Sequence, residues 1–185
     1  MPSVMKTLVV TAGLVLAVGL TGCSSAPDSI SGADLGKAVN KELLAKAKPV
    51  SSTMVCPKIK FAKGAKVTCT QTEVIDAGRQ LEVPVTVTLT KVDTDTGKYA
   101  YDFKQADKPT KYGLTGDFIE NDLKTQWDQQ KGGKATVTCP DYLPGTVGAS
   151  VTCKLTDSAT AHTIKVTVDK VDEANFDTNY TFAEV

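Results

Sequence analysis

Five cysteines offer this 185-residue chain two chemistries, disulfide formation and metal ligation, and their spacing separates the two. Four of them sit in matching pairs. Val55-Cys56-Pro57 precedes Gly64-Ala65-Lys66-Val67-Thr68-Cys69, and Val137-Thr138-Cys139-Pro140 precedes Gly148-Ala149-Ser150-Val151-Thr152-Cys153. The first cysteines of the pairs lie 83 positions apart and the second ones 84, the mark of a duplicated unit with one added residue. Zinc would need CxxC spacing and more imidazole than the single histidine supplies, so no metal is expected. Four cysteines allow three pairings. Because each copy carries its own pair, Cys56–Cys69 and Cys139–Cys153 is the expected connectivity.

Other residues capable of chemistry lack company. His162 follows the polar stretch Asp157-Ser158-Ala159-Thr160, with no partner or pocket in view, and reads as a solvated turn residue. Asp93, Asp95 and Gly97 resemble the start of a calcium loop, but Lys104 stands where an EF-hand needs glutamate, so they read as a hairpin turn. No Gly-rich phosphate loop, GxSxG elbow or HExxH helix occurs. Trp127, Tyr99, Tyr101 and Tyr180 continue the apolar faces of their elements and read as core, and Asn179-Tyr180-Thr181 as an incidental sequon. The expectation is therefore no catalytic residue, no cofactor and no identifiable ligand-binding residue.

The fifth cysteine has a different context. Lys6 and the apolar run Leu8 to Val18 form a secretory signal too short to remain as a spanning helix. Its end, Leu20-Thr21-Gly22-Cys23, resembles the bacterial lipobox, whose cysteine receives a diacylglycerol after cleavage just before it. That resemblance implies removal of residues 1–22, lipidation of Cys23, and attachment to the extracytoplasmic face of the cell membrane through two or three acyl chains. It also accounts for the odd cysteine.

Around these positions the hydrophobic period alternates between four and two. Residues 23–30 are small, polar and proline-containing, a flexible tether. Ser31 caps a helix carrying Leu35, Val39, Leu43 and Ala47 on one face, ending near Lys48-Pro49. Ile119, Leu123 and Trp127 repeat that face 84 positions on, in a helix ending near Lys131-Gly132-Gly133. Strand alternation follows each helix, as in Val83, Val85, Val87 and Leu89, and in Ile164, Val166 and Val168. Pro84 cannot donate to a ladder, so its strand is expected to be an edge or bulged there. The expected fold is α+β: two tandem repeats, residues 31–103 and 114–185, joined by a linker at 104–113. Each would be one N-terminal helix on a small antiparallel sheet of about four strands, with one internal disulfide. So small a unit buries little apolar surface, and a bridge is worth roughly 3 kcal/mol to it.

Helix, Val-x-Cys-Pro, Gly-Ala, Val-Thr-Cys and a Val-x-Val strand, in that order, resemble the actinobacterial "domain of unknown function 4333" found in exported lipoproteins. The second copy matches closely; in the first, Lys58-Ile59-Lys60-Phe61 stands where the family has an acidic residue followed by an aliphatic one. The resemblance implies a structural role for Cys56, Cys69, Cys139 and Cys153 and carries over no catalytic residue.

Charge is balanced at 21 basic and 21 acidic side chains, and Arg79 is the single arginine, which argues against a nucleic-acid partner. The function expected is a non-catalytic binding or accessory module in the cell envelope, engaging a protein, cell-wall or lipid component. A lipid carrier is the alternative and would need a cavity of several hundred cubic ångströms.

Overall fold

The computed structural model describes residues 27–47, 49, 51–75, 78–131, 134–157 and 160–185. Residues 1–22, expected to be a signal, and Cys23, expected to be lipidated, lie outside the described residues. In chain order the elements are β1 (Ser29–Ile30), α1 (Gly32–Ala47), β2 (Ser51–Val55), β3 (Ile59–Lys60), β4 (Lys66–Ile75), β5 (Arg79–Asp93) and β6 (Lys98–Gln105), then β7 (Lys111–Thr115), α2 (Gly116–Lys131), β8 (Ala135–Thr138), β9 (Tyr142–Pro144), β10 (Ser150–Asp157), β11 (Thr160–Asp172) and β12 (Asp177–Glu184). The architecture is α+β, with two helices, antiparallel sheets and the disulfides Cys56–Cys69 and Cys139–Cys153.

The chain divides into two compact units. One comprises the residues up to Glu73 with Glu82–Thr110, the other Val74–Leu81 with Lys111–Val185. The tip of the β4–β5 hairpin thus belongs to the second unit although most of both strands belongs to the first.

In the first unit β2, β4, β5 and β6 lie side by side in that order. Helix α1 forms because Leu35, Val39 and Leu43 recur at helical spacing, and that stripe is buried against Val85, Val87, Leu89, Tyr101 and Phe103 from the period-two faces of β5 and β6. The Tyr101 hydroxyl donates to Glu42 Oε1 at 2.6 Å, so the buried ring's polar end is satisfied by the helix. Ser29–Ile30, within the stretch expected to be flexible tether, pairs with Ile59–Lys60, and Ile30 is buried. The helix starts hard against the disulfide loop: a Cβ on Gly32 would sit 1.9 Å from the Cys56 carbonyl oxygen, so only glycine fits.

Pro84 departs from expectation. Strand β5 is interior, with β4 on one side and β6 then β7 on the other, and its bulge falls at Leu89/Lys91. Pro84 sits where β5 changes partner: Val85 pairs with Gln105 at the end of β6, while the carbonyls of Pro84 and Glu82 accept the N–H groups of Ala106 and Thr110 in the connection to β7. A missing donor disturbs no ladder at such a break.

In the second unit the sheet order is β12-β11-β10-β8. Helix α2 lays Ile119 and Leu123 on Leu155, Ile164, Val166 and Val168. The Thr115 hydroxyl accepts the Phe118 N–H as an N-cap, and the Thr115 N–H donates to the Gly78 carbonyl of the hairpin tip at 2.9 Å. Residues 111–113, expected to be linker, are strand: β7 pairs with β9 through Gly113↔Pro144, Leu114↔Leu143 and Thr115↔Tyr142. Here too the bulge falls late in the long strand, between Val168 and Lys170.

Candidate functional site

All four paired cysteines sit where α1 or α2 meets the start of its sheet. Cys69 and Cys153 are fully buried on β4 and β10, and each joins its unit's hydrophobic core. Bonded as disulfides they offer neither a nucleophile nor a metal ligand. Among the described residues no group of three or more His, Cys, Asp and Glu could hold a metal ion. Asp93 forms the expected turn, its Oδ1 accepting the N–H groups of Asp95 and Thr96, and Thr96 holds its carboxyl below the usual carboxylate range.

His162 corrects the sequence reading. It lies on β11 opposite Leu155 of β10, inside the ladder, and its side chain is only 16% exposed. Nδ1 meets Glu184 Oε1 at 2.7 Å and Nε2 meets Asp157 Oδ1 at 3.4 Å, while the ring packs 4.7 Å from that of Trp127. Trp127 Nε1 donates to the other oxygen of Asp157 at 3.1 Å, and Lys131 lies over the indole. A carboxylate at each nitrogen favours the doubly protonated ring, and the hydrogen bond it donates to Glu184 first, then that to Asp157, raises the imidazole above its ordinary value against an opposing effect of burial. The cluster ties α2, β10, β11 and β12 together at one end of the second unit. Both ring nitrogens are engaged by carboxylates of the fold, so neither is turned toward a substrate.

A second polar cluster, also unforeseen, lies in the first unit. Gln71 and Glu73 occupy inward positions of β4 after Val67 and Cys69, and both are buried. Gln105 Nε2 donates to Gln71 Oε1 at 3.1 Å and reaches Glu73 Oε1 at 3.5 Å; Gln71 Nε2 donates to Ser52 Oγ, which donates to Asn40 Oδ1 at 2.6 Å. The hydrogen-bond chain satisfies the amides, but among the described residues no ion pair involves Glu73, and burial pushes its carboxyl up from its usual value.

The second unit also has an open cleft of about 630 Å³. Leu114, Phe118 and Val171 form its apolar part, and Arg79, Lys170, Asp172, Glu173 and Asp177 its charged rim. Arg79 comes from the hairpin tip and donates through Nη1 to Asp177 Oδ1 at 2.6 Å and to the Asn175 carbonyl at 2.9 Å. Thr178 Oγ1, on the same wall, is buried with no hydrogen-bond partner among the described residues. Sequence reading passed over Arg79 because one arginine makes no cluster; its partners Asn175 and Asp177 come from the turn before β12 and from its first residue, 96 and 98 residues away. Of the aromatic residues expected in cores, Tyr99 and Tyr101 are buried, and Tyr180 is part-buried with its hydroxyl on Asp122 of α2.

No curated protein and no solved structure matches the chain. Residues 112–173, which run from β7 through α2 to the end of β11 and include Cys139, Cys153, Trp127, Asp157 and His162, match the model of a protein family described as a domain of unknown function, DUF4333.

Proposed function

We propose that the protein is an exported lipoprotein, held through acylated Cys23 on the outer face of the cell membrane, whose folded part is a non-catalytic binding module of the cell envelope. The leader and lipobox-like end support the anchor, and two disulfides suit an oxidising compartment. The observation that carries the binding reading is the cleft of about 630 Å³ built around the chain's single arginine, with an apolar floor and charges of both signs. Five charged side chains around three apolar ones favour a polar envelope ligand over an acyl chain, and so favour an accessory module over a lipid carrier.

We also infer that the two units are copies of one ancestral unit. Ile30↔Ile59 and Leu114↔Leu143 pair alike; the Phe61 N–H bonds Asp28 as the Gly145 N–H bonds Tyr112; the bulges at Leu89/Lys91 and Val168/Lys170 correspond. Tyr101 and Tyr180 each reach a helix carboxylate.

The test uses the native protein extracted in mild detergent. Mass spectrometry should find the chain starting at an acylated Cys23, and an affinity-tagged form should retain an envelope component that Arg79→Ala loses. A free thiol at Cys23 refutes the anchor; identical captures from wild type and Arg79→Ala refute the cleft as the binding site.

A further inference from the structure

The disulfide-closed loop of the first unit is strongly basic, and that of the second is not. Between Cys56 and Cys69 stand Lys58, Lys60, Lys63 and Lys66 and no acidic residue; between Cys139 and Cys153 stand no basic residue and Asp141. The fold positions these loops alike, so the difference is one of charge and not of construction. Within the first loop Ile59 and Phe61 point inward and are buried, which leaves all four lysines exposed. No ion pair involves any of the four among the described residues. The loop is held in shape: β3 pairs with β1, the Ala65 N–H donates to the Ala62 carbonyl, and the Gly64 N–H donates to Leu89 of β5.

Strand β1 is also the part of the fold nearest in sequence to Cys23. Asp28, whose carbonyl accepts the Phe61 N–H, is five residues after that cysteine, so the lysine loop is bonded to a segment that cannot stray more than about 18 Å from the acylated residue. A lysine within a Debye length of an anionic bilayer, about 8 Å at physiological salt, is attracted to it. The loop carries four lysines and no acid, and the tether holds them at that surface at high effective concentration.

We propose that the Cys56–Cys69 loop docks on the anionic phospholipid surface beside the lipid anchor, fixing which side of the first unit faces the membrane. The orientation rests on the anchoring proposed above. Docking is expected to contribute about fivefold in partitioning per lysine engaged.

The acylated full chain, reconstituted in vesicles of phosphatidylcholine alone or with 30% phosphatidylglycerol, is treated with a water-soluble amine-acylating reagent, and each lysine is quantified by mass spectrometry. Lys58, Lys60, Lys63 and Lys66 should be protected at least fivefold on the anionic vesicles, and 0.5 M NaCl should abolish the protection, with Lys154 and Lys165 unchanged. Protein that stays with the vesicles while the four lysines react equally on both compositions overturns the proposal and leaves the anchor standing. Protein that leaves neutral vesicles overturns the anchor instead. A second arm, with the unacylated Cys23→Ser chain, tests the loop by itself. Flotation with anionic vesicles should fall at least tenfold when the four lysines become Gln and persist when they become Arg; equal flotation of the Gln and Arg variants overturns the proposal.

Discussion

Removing the second disulfide, by Cys139→Ala with Cys153→Ala, isolates the contribution of the staple to one unit. The bridge spans a sequence separation of 14, so in the chain-entropy account the closed loop restricts the unfolded chain by about 3 kcal/mol at 25 °C. Cys153 is fully buried among Leu155, Ile164 and Val166, and truncating it adds a small cavity cost in the same direction. At about 4–8 °C per kcal/mol for a unit of this size, the melting temperature should drop by about 12–24 °C. Scanning calorimetry of the full chain reads this directly. The transition of the second unit should move down while that of the first, still held by Cys56–Cys69, stays in place. Excess reductant should then lower both, because the first loop differs by one residue. A drop below about 3 °C, with loss of the bridge verified by mass, would refute the reasoning: helix and sheet packing alone would then hold the unit.

Three further outcomes follow from contacts described above. His162 has a raised folded-state value, so its contribution is fully present below its ordinary value near 6.5 and is lost as pH rises through the folded one; the second unit should melt lower at pH 8 than at pH 6, and His162→Gln should flatten that slope. NMR titration of this single histidine should give a midpoint above 6.5, and a midpoint below it would break the assignment. Glu73 is also shifted upward, so its folded form favours the proton and stability is lost as pH climbs above the ordinary glutamate range; Glu73→Gln should raise the melting temperature at pH 7 and leave it nearly unchanged at pH 4, which a pH series of melts checks. Gly32→Ala drives a Cβ into the Cys56 carbonyl and should cost about 3 kcal/mol or more, whereas Gly64→Ala meets no atom within 4 Å and should cost only the ~1–2 kcal/mol of its left-handed backbone; equal denaturation midpoints for the two variants would contradict the contact.

Period was the readable part of this sequence. Leu35, Val39 and Leu43 at spacing four, and Val83, Val85, Val87 and Leu89 at spacing two, name the buried faces of α1 and β5 because burial selects for nothing else at those positions. Polarity hid the rest. Gln71 and Glu73 continue the inward parity of Val67 and Cys69, yet two polar side chains in a row look like solvent-facing residues unless their partners, which come from β2, β6 and α1, are known. His162 shares the parity of Ile164, Val166 and Val168; that signal was present, but the polar run before it suggested a turn where the ladder already pairs Asp157 with Thr160. The pairs β1–β3 and β7–β9 are too short for any period to register, and the cleft depends on Arg79 meeting residues far along the chain.

The division of the hairpin has a consequence for how the chain is made. Residues 74–81 group with the second unit, but the start of β5 precedes its partner β7 by about 30 residues. Until β7 is in place, the side of β5 that β7 pairs with has its backbone groups unmatched. During that interval it is an open template for wrong pairing, including with the same strand of a neighbouring chain that is still folding. Cutting the gene between the halves would make that transient state permanent in one fragment and leave the other without a strand.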